Sequence, residues 1–236
     1  MPPSPVEVAS PVFRAFSTAH LAALAAVFVV GALMVWAART RRRHLQRTLE
    51  TTMAVLLLIQ WPLSYWVAYN MGFLTAENAY PCHLCDMGAF LAIIALFTHR
   101  RPVFELVYFW GLAGTLQGLI TPALTQDWPH PRYFLFFVNH GGVVIAALYG
   151  VLGLGFIPRA HAKWRAWFFI LLYAVVVGIF DWAVGANYGF LCRKPPTASL
   201  FDALGPWPWY IGVTSLLALV FFILLDLPFI RLRRRG

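Results

Sequence analysis

Seven long apolar stretches separated by short connections leave this 236-residue chain little length from which to build a soluble domain. A helix that crosses a bilayer needs about 20 mainly apolar residues. Spans are expected at 17–38, 49–70, 82–98, 103–121, 133–155, 165–184 and 207–230. With 61% hydrophobic residues, against roughly 45–50% in soluble domains, the chain reads as one integral membrane domain over 1–236. The expected fold is an all-α, polytopic seven-transmembrane-helix bundle.

A net charge of +9 would suggest nucleic acid in a soluble protein, but its distribution argues otherwise. Fourteen of the 18 basic residues fall in the first, third and fifth connections and at the C-terminal end: Arg39 to Arg47, Arg100 and Arg101, Arg159 to Arg165, Arg231 to Arg235. Seven crossings put all of these on one side. Lys and Arg concentrate in cytoplasmic loops, so the N-terminus is expected outside and the C-terminus in the cytoplasm. No nucleic-acid partner is expected; anionic lipid headgroups account for the basic loops. The first stretch follows Met1 to Pro5 without a basic n-region and is followed by Arg39 to Arg43, which marks a spanning helix rather than a cleaved signal peptide.

The uncommon polar residues gather on the opposite side. His20, Pro81 to Asp86, Asn139-His140, Asp181, Asn187-Tyr188 and Gly205 to Tyr210 all fall toward the non-cytoplasmic face. Polar groups near hydrocarbon are costly and usually face a bundle interior or an aqueous cavity, so this one-sidedness points to a site. Trp128, Tyr133, Trp182, Tyr188, Trp207, Trp209 and Tyr210 would lie near the same interface as an aromatic belt. Pro122 should end the fourth span, and Pro206 and Pro208 suit the first turn of the seventh.

Cys85 stands in the first turn of the third span, where a helix N-terminus favours an anion. Asp86 beside it works against that, unless it is neutral or points elsewhere. His83 and Asp86, three apart, could pair on one helical face. His140 lies about 10 Å below the interface by helical rise, followed by Gly141-Gly142, which would admit another backbone or a ligand. His140 could instead be a satisfied hydrogen-bonding group, and Cys85 a small buried thiol beside a capping Asp. A thiol with a nearby imidazole is the minimum for nucleophilic catalysis. No ligand pair has a recognised zinc spacing, so no metal and no cofactor are expected. His44, His99 and His161 would be solvated or face headgroups, His130 sits in an outer loop, and Glu105 and Asp226 should pair with neighbouring arginines. Cys82 and Cys85 also form a Cys-x-x-Cys, which suits a quinone-linked thiol redox protein, and a Cys82–Cys192 bridge is a further possibility.

Several runs carry a resemblance. They are Phe16-Ser17 with His20, Pro81-x-His83-x-Cys85-Asp86, Gly111 to Gly114 with Gln117, Thr121-Pro122, His140-Gly141, Asn187 to Leu191, Lys194-Pro195 and Gly205 to Tyr210. In this order the chain resembles the YwaF-type integral membrane protein family, which includes an animal transmembrane phospholipid acyltransferase. The resemblance implies a Cys85 nucleophile with His140 as its partner, acting on membrane phospholipids or lysophospholipids. Cys82 departs from the pattern, where an apolar residue is usual. His20, His83, Asp86, Asn139, Asn187 and Tyr188 would support the pair or bind substrate. The expected location is the bacterial cytoplasmic (inner) membrane. The leading reading is a lipid acyltransferase or transacylase; a quinone-linked redox protein and a non-catalytic lipid-binding protein or transporter remain alternatives.

Overall fold

The computed structural model describes residues 11–195 and 200–234. Met1 to Pro5, Arg235 and residues 196–199 of the outer segment lie outside these. Among the described residues the regular structure is helical, with one isolated β-bridge between Val12 and Gln126 and no strand. The long helices are α1 (Thr18–Arg39), α2 (Arg43–Asn70), α3 (Leu84–Thr98), α4 (Arg101–Ile120), α5 (Pro131–Gly153), α6 (Ala162–Val184) and α7 (Trp209–Arg233). Six of them are long and apolar enough to cross a membrane. The exception is α3, with 15 residues. At 1.5 Å per residue it spans about 22 Å, short of the roughly 30 Å hydrocarbon core.

The expected spans match these helices closely except where polar residues extend them. Helix α2 starts at Arg43 rather than 49, because Arg43 to Thr48 continue the ladder beyond the apolar run and bring Gln46 to Glu50. Thr121 caps α4 just before Pro122, as expected. Pro208 is the N-cap of α7, so the two prolines precede its first turn rather than form it.

The centre of the bundle is α5. Of its apolar window 61% is buried, against 11% in α1 and α6 and 17% in α7, whose outer faces are apolar and exposed. Small residues let neighbours approach α5 closely. A Cβ at Gly141 would lie 2.6 Å from Val27 of α1, and one at Gly142 would lie 2.7 Å from Leu57 of α2. Of the two roles expected for these glycines, close approach of a neighbouring helix or of a ligand, the packing is of the first kind. Gly111 opens a π-helical turn in α4 (Gly111–Thr115) and faces Val143 and Ala147 of α5.

Basic and acidic groups meet at one end of the bundle. Glu105 takes Arg159 Nε and Nη2, both at 2.9 Å, together with the Arg165 guanidinium. Asp226 takes Lys163 and Arg233, each at 2.7 Å. Both pairings follow the sequence expectation. His99 does not: it caps α3 in a left-handed conformation and reaches buried Glu50 at 2.8 Å, with the Tyr149 hydroxyl donating to the same carboxylate. A buried carboxylate needs such partners, because an unpaired one would cost several kcal/mol.

Overpacking should be felt where glycine is required. In Gly150→Ala the new Cβ would sit 2.5 Å from the buried Phe104 ring, and a loss of about 1–3 kcal/mol is expected. Gly114→Ala meets only Leu84 Cδ2 at 3.7 Å and should leave stability unchanged or slightly raised. Thermal unfolding of the two variants in detergent checks the contrast.

Candidate functional site

At the other end of the bundle, the N-terminus of α3 is built from Pro81 to Asp86. His83 is the N-cap, with extended backbone at φ −66° and ψ 152°. Asp86 therefore reaches back to it: Asp86 Oδ2 accepts the His83 amide at 3.1 Å. The other oxygen, Oδ1, accepts Asn139 Nδ2 at 2.8 Å, and this bond ties the start of α3 to α5. The expected side-chain pairing of His83 with Asp86 does not form, because an N-cap residue does not share the helix's face. His83 Nδ1 instead accepts the Gly189 amide at 3.4 Å, and its ring stands edge-on to Tyr188 at 4.9 Å. That bond leaves the proton of the neutral ring on Nε2.

Cys85 follows in the first turn, half-buried, one residue before the Asp86–Asn139 contact. His140 follows Asn139 on α5. Its Nδ1–H donates to the Phe136 carbonyl at 3.1 Å, and its ring stacks on Phe136 at 3.9 Å. Nε2 is then the acceptor nitrogen, and it faces Gly118 of α4, where a Cβ would come within 3.2 Å of it. No hydrogen bond joins the Cys85 thiol to His140 or to His83. The contact between their helices runs through Asp86 and Asn139.

The remaining expected residues divide differently. His20 is fully buried, accepting the Phe16 amide on Nδ1 at 2.9 Å and donating from Nε2 to the Leu119 carbonyl at 3.0 Å. Both nitrogens are occupied in joining α1 to α4, which leaves His20 none to offer a substrate. Asn187 spends its side chain on Cys192 and Arg193 backbone groups, at 2.9–3.0 Å. Tyr188 donates to Ala76 O at 2.6 Å and accepts the Tyr80 amide at 2.8 Å. Burial pushes the Tyr188 phenol up to about 12, which keeps it a donor. These two residues hold the loops over the site rather than enter it. His130 is also more than a loop residue: it is buried and caps α5 by accepting the Arg132 amide at 3.2 Å.

The aromatic belt separates in the same way. Trp128, Trp182, Trp207 and Trp209 are exposed, whereas Tyr133, Tyr188 and Tyr210 are buried and donate to carbonyls of Ala19, Ala76 and Phe190.

Tyr173 of α6 is a member of the site that its sequence does not distinguish from neighbouring aromatics. Its hydroxyl donates to Cys82 O at 2.9 Å. A Cβ at Gly189 would lie 2.7 Å from that hydroxyl, and Gly189 also has φ +62°, so the position needs glycine twice over. Asp181, further along α6, is fully buried with neither oxygen in a hydrogen bond of normal geometry, and Asn139 Oδ1 is likewise a buried acceptor without a donor. Unpaired buried acceptors cost about 1–3 kcal/mol each, so a ligand bringing a donor gains most at these atoms.

Cys82, Cys85 and Cys192 are free thiols, and neither bridging possibility is realised. Burial, with Asp181 nearby, pushes the Cys192 thiol above its ordinary range. Among the described residues no three His, Cys, Asp or Glu side chains come together as a metal site.

Fold and site together define an integral membrane protein of apolar helices in which an Asp86–Asn139 bond joins α3 to α5 beside Cys85 and His140 in sequence. The chain matches the TMEM164 family over residues 15–226 and belongs to it. No curated protein and no solved structure matches it.

The Asp86–Asn139 bond should carry measurable stability. Asn139→Ala leaves one carboxylate oxygen of Asp86 without its donor, and about 1–3 kcal/mol should be lost. Asn139→Asp should cost at least as much, because a second carboxylate would replace the donor. Thermal unfolding of the purified variants tests both.

Proposed function

We propose that the chain is a membrane-embedded lipid acyltransferase in which Cys85 is the nucleophile and His140 the general base. The observation that carries this reading is the state of His140. Its Nδ1–H is committed to the Phe136 carbonyl, so Nε2 is an unprotonated acceptor with no hydrogen-bond donor among the described residues, packed edge-on against Gly118. That is the tautomer a base requires. Cys85 belongs to the same helix pair, held by the Asp86–Asn139 bond.

In the first half-reaction the thiol proton passes to His140 Nε2 and the sulfur attacks the ester carbonyl of a phospholipid. The C–S bond forms, the ester C–O bond breaks, and the departing lysophospholipid oxygen takes the proton back from the imidazolium. In the second, an acceptor hydroxyl gives its proton to Nε2 and attacks the thioester. The C–S bond breaks and the thiolate recovers the proton. The His83 Nε2–H and the Leu84 and Cys85 amides are the donors proposed for the oxyanion, the Asp86 and Met87 amides being bonded to the His83 carbonyl. Asp86 and Asn139 position the helices.

All seven helices would cross a bacterial cytoplasmic membrane, with the N-terminus outside and the cluster of basic connections in the cytoplasm, as the positive-inside rule requires. Helix α3 would then cross as the shortest span, with its N-terminus in the outer half. A site on that side has no access to cytosolic acyl-CoA, so the donor is a phospholipid and the reaction a transacylation.

The test uses the purified chain in proteoliposomes with a phospholipid bearing a labelled acyl chain and a lysophospholipid acceptor. Cys85→Ser should remove transfer. His140→Ala should lower it by roughly 10²–10⁴-fold, the usual contribution of a general base. Cys82→Ala should leave it intact. Normal transfer in the Cys85→Ser variant would end the proposal, and loss of transfer on Cys82→Ala would redirect it to thiol–disulfide chemistry.

A further inference from the structure

On the far side of α6 from Cys82 lies a feature that the proposed chemistry does not use. Helices α6 and α7, closed at one end by the 191–192 turn, enclose an open groove of about 400 Å³. Val175, Gly178, Ile179 and Trp182 of α6 form one wall, and Trp207 and Cys192 contribute to the other side and the end. This is within the roughly 300–1,000 Å³ of small-ligand sites. Gly178 makes the floor: a Cβ there would meet only Leu191 Cδ1, at 4.0 Å. Gly178 therefore leaves room in the groove that a larger side chain would fill. Val175, Ile179 and Trp182 are 60%, 63% and 83% exposed, so the groove opens sideways onto the apolar surface of the bundle.

Its length and charge indicate what fills it. From residue 174 to 182 the groove follows α6 for about 12 Å by helical rise. That is close to the roughly 15 Å of one leaflet's share of the hydrocarbon and well under the full thickness. A lipid chain fits that length, and a spanning helix of another protein does not. The closed end is rimmed by Trp207, whose Nε1–H donates to the Leu191 carbonyl at 3.0 Å. Just beyond it come Arg193 and Lys194. Arg193 is engaged by Glu77. Lys194 stands over the Tyr210 ring at 5.9 Å and has no carboxylate partner among the described residues. Apolar groove, interfacial Trp207 and, two residues along the chain from the groove-lining Cys192, an ammonium with no carboxylate among the described residues match the chain, glycerol region and phosphate of a phospholipid.

We propose that the α6–α7 groove is a phospholipid-binding site that takes one acyl chain along Gly178 and the lipid phosphate at Lys194. The site is separate from Cys85 and holds its lipid whether or not Cys85 reacts.

The test measures binding rather than turnover. The full chain, wild type and Cys85→Ser, is placed in phosphatidylcholine vesicles containing a trace of an anionic phospholipid with a photoactivatable acyl chain, and the cross-linked residues are mapped. Adducts should concentrate on the groove-facing residues of α6 and α7, equally in both proteins. Gly178→Leu fills the floor and should remove these adducts while adducts on α1 persist. Lys194→Ala should reduce them roughly fivefold for the anionic phospholipid and leave those of an uncharged diacylglycerol probe unchanged. In a Cys82→Ala/Cys85→Ser background, alkylating Cys192 with a hydrophobic maleimide blocks the groove and should have the same effect as Gly178→Leu. Adducts spread evenly over the exposed faces of α1, α6 and α7, insensitive to Gly178→Leu and to Cys192 alkylation, would overturn the proposal. So would cross-links from a second protein seated in the groove.

Discussion

Hydrocarbon solvates no polar atom, so every polar group this chain carries into its helices must find its partner within the chain. The partners are sorted by type. At one end are ion pairs, Glu105 with Arg159 and Arg165 and Asp226 with Lys163 and Arg233, and the Glu50 carboxylate hydrogen-bonded to His99 and Tyr149. At the other end the bonds are mostly to backbone, from His20, Tyr133, Asn187, Tyr188 and Tyr210. Ion networks of the first kind saturate their carboxylates and leave little for a ligand to do. The second end holds Asn139 Oδ1, a buried acceptor without a donor, and Asp181, whose carboxylate meets only the Tyr188 amide at poor geometry. A polar substrate group gains more there than among the ion pairs, and that is also where Cys85 and His140 stand.

Between the two ends, close packing replaces polar bonding. Helix α5 presents Gly141 to Val27 and Gly142 to Leu57, while Gly111 of α4 and Gly88 of α3 both meet Val143. In a bilayer, where apolar side chains gain little from leaving lipid, such close contact is a main source of helix association. His140 precedes this glycine pair, so its height and direction are set by packing on three sides. The π turn at Gly111–Thr115 adds a residue to α4 just before Gly118, and such turns often mark functional sites. Here it rotates the last turns of α4 relative to the rest, Gly118 among them.

The helices were legible in the sequence because apolar length is the signal a membrane imposes. The boundary of α2 was not, since hydropathy records contact with lipid and Arg43 to Thr48 form helix outside it. Within the site, Cys85, Asp86, Asn139 and His140 stood out as rare polar residues in apolar runs, and Asp86–Asn139 is a direct bond. The roles of His20, Asn187 and Tyr188 were hidden because their partners are backbone groups, which every residue has and no pattern announces. His83 was misplaced for a geometric reason: helical spacing applies only inside a helix, and it stands one residue before one. Tyr173 could not be chosen from sequence at all. What distinguishes it is that its hydroxyl reaches across to Cys82 while its neighbours on α6 face the groove.

The shortness of α3 links these observations. At about 22 Å it cannot fill the thickness that its neighbours fill, so one end must be completed by other parts of the chain. Its C-terminal end is closed immediately, by His99 and the start of α4 at Arg101. The deficit therefore falls at the N-terminal end, where Cys85 lies. Irregular backbone is tolerated at such depth when protein covers it, and the loops at 71–83 and 185–195 do so. Tyr188 fastens the first loop at Ala76 and Tyr80, Asn187 closes the second on Cys192 and Arg193, and Tyr173 holds Cys82 from α6. The short helix thus leaves its first turn, with Cys85, beneath a hydrogen-bonded cover formed by these two loops.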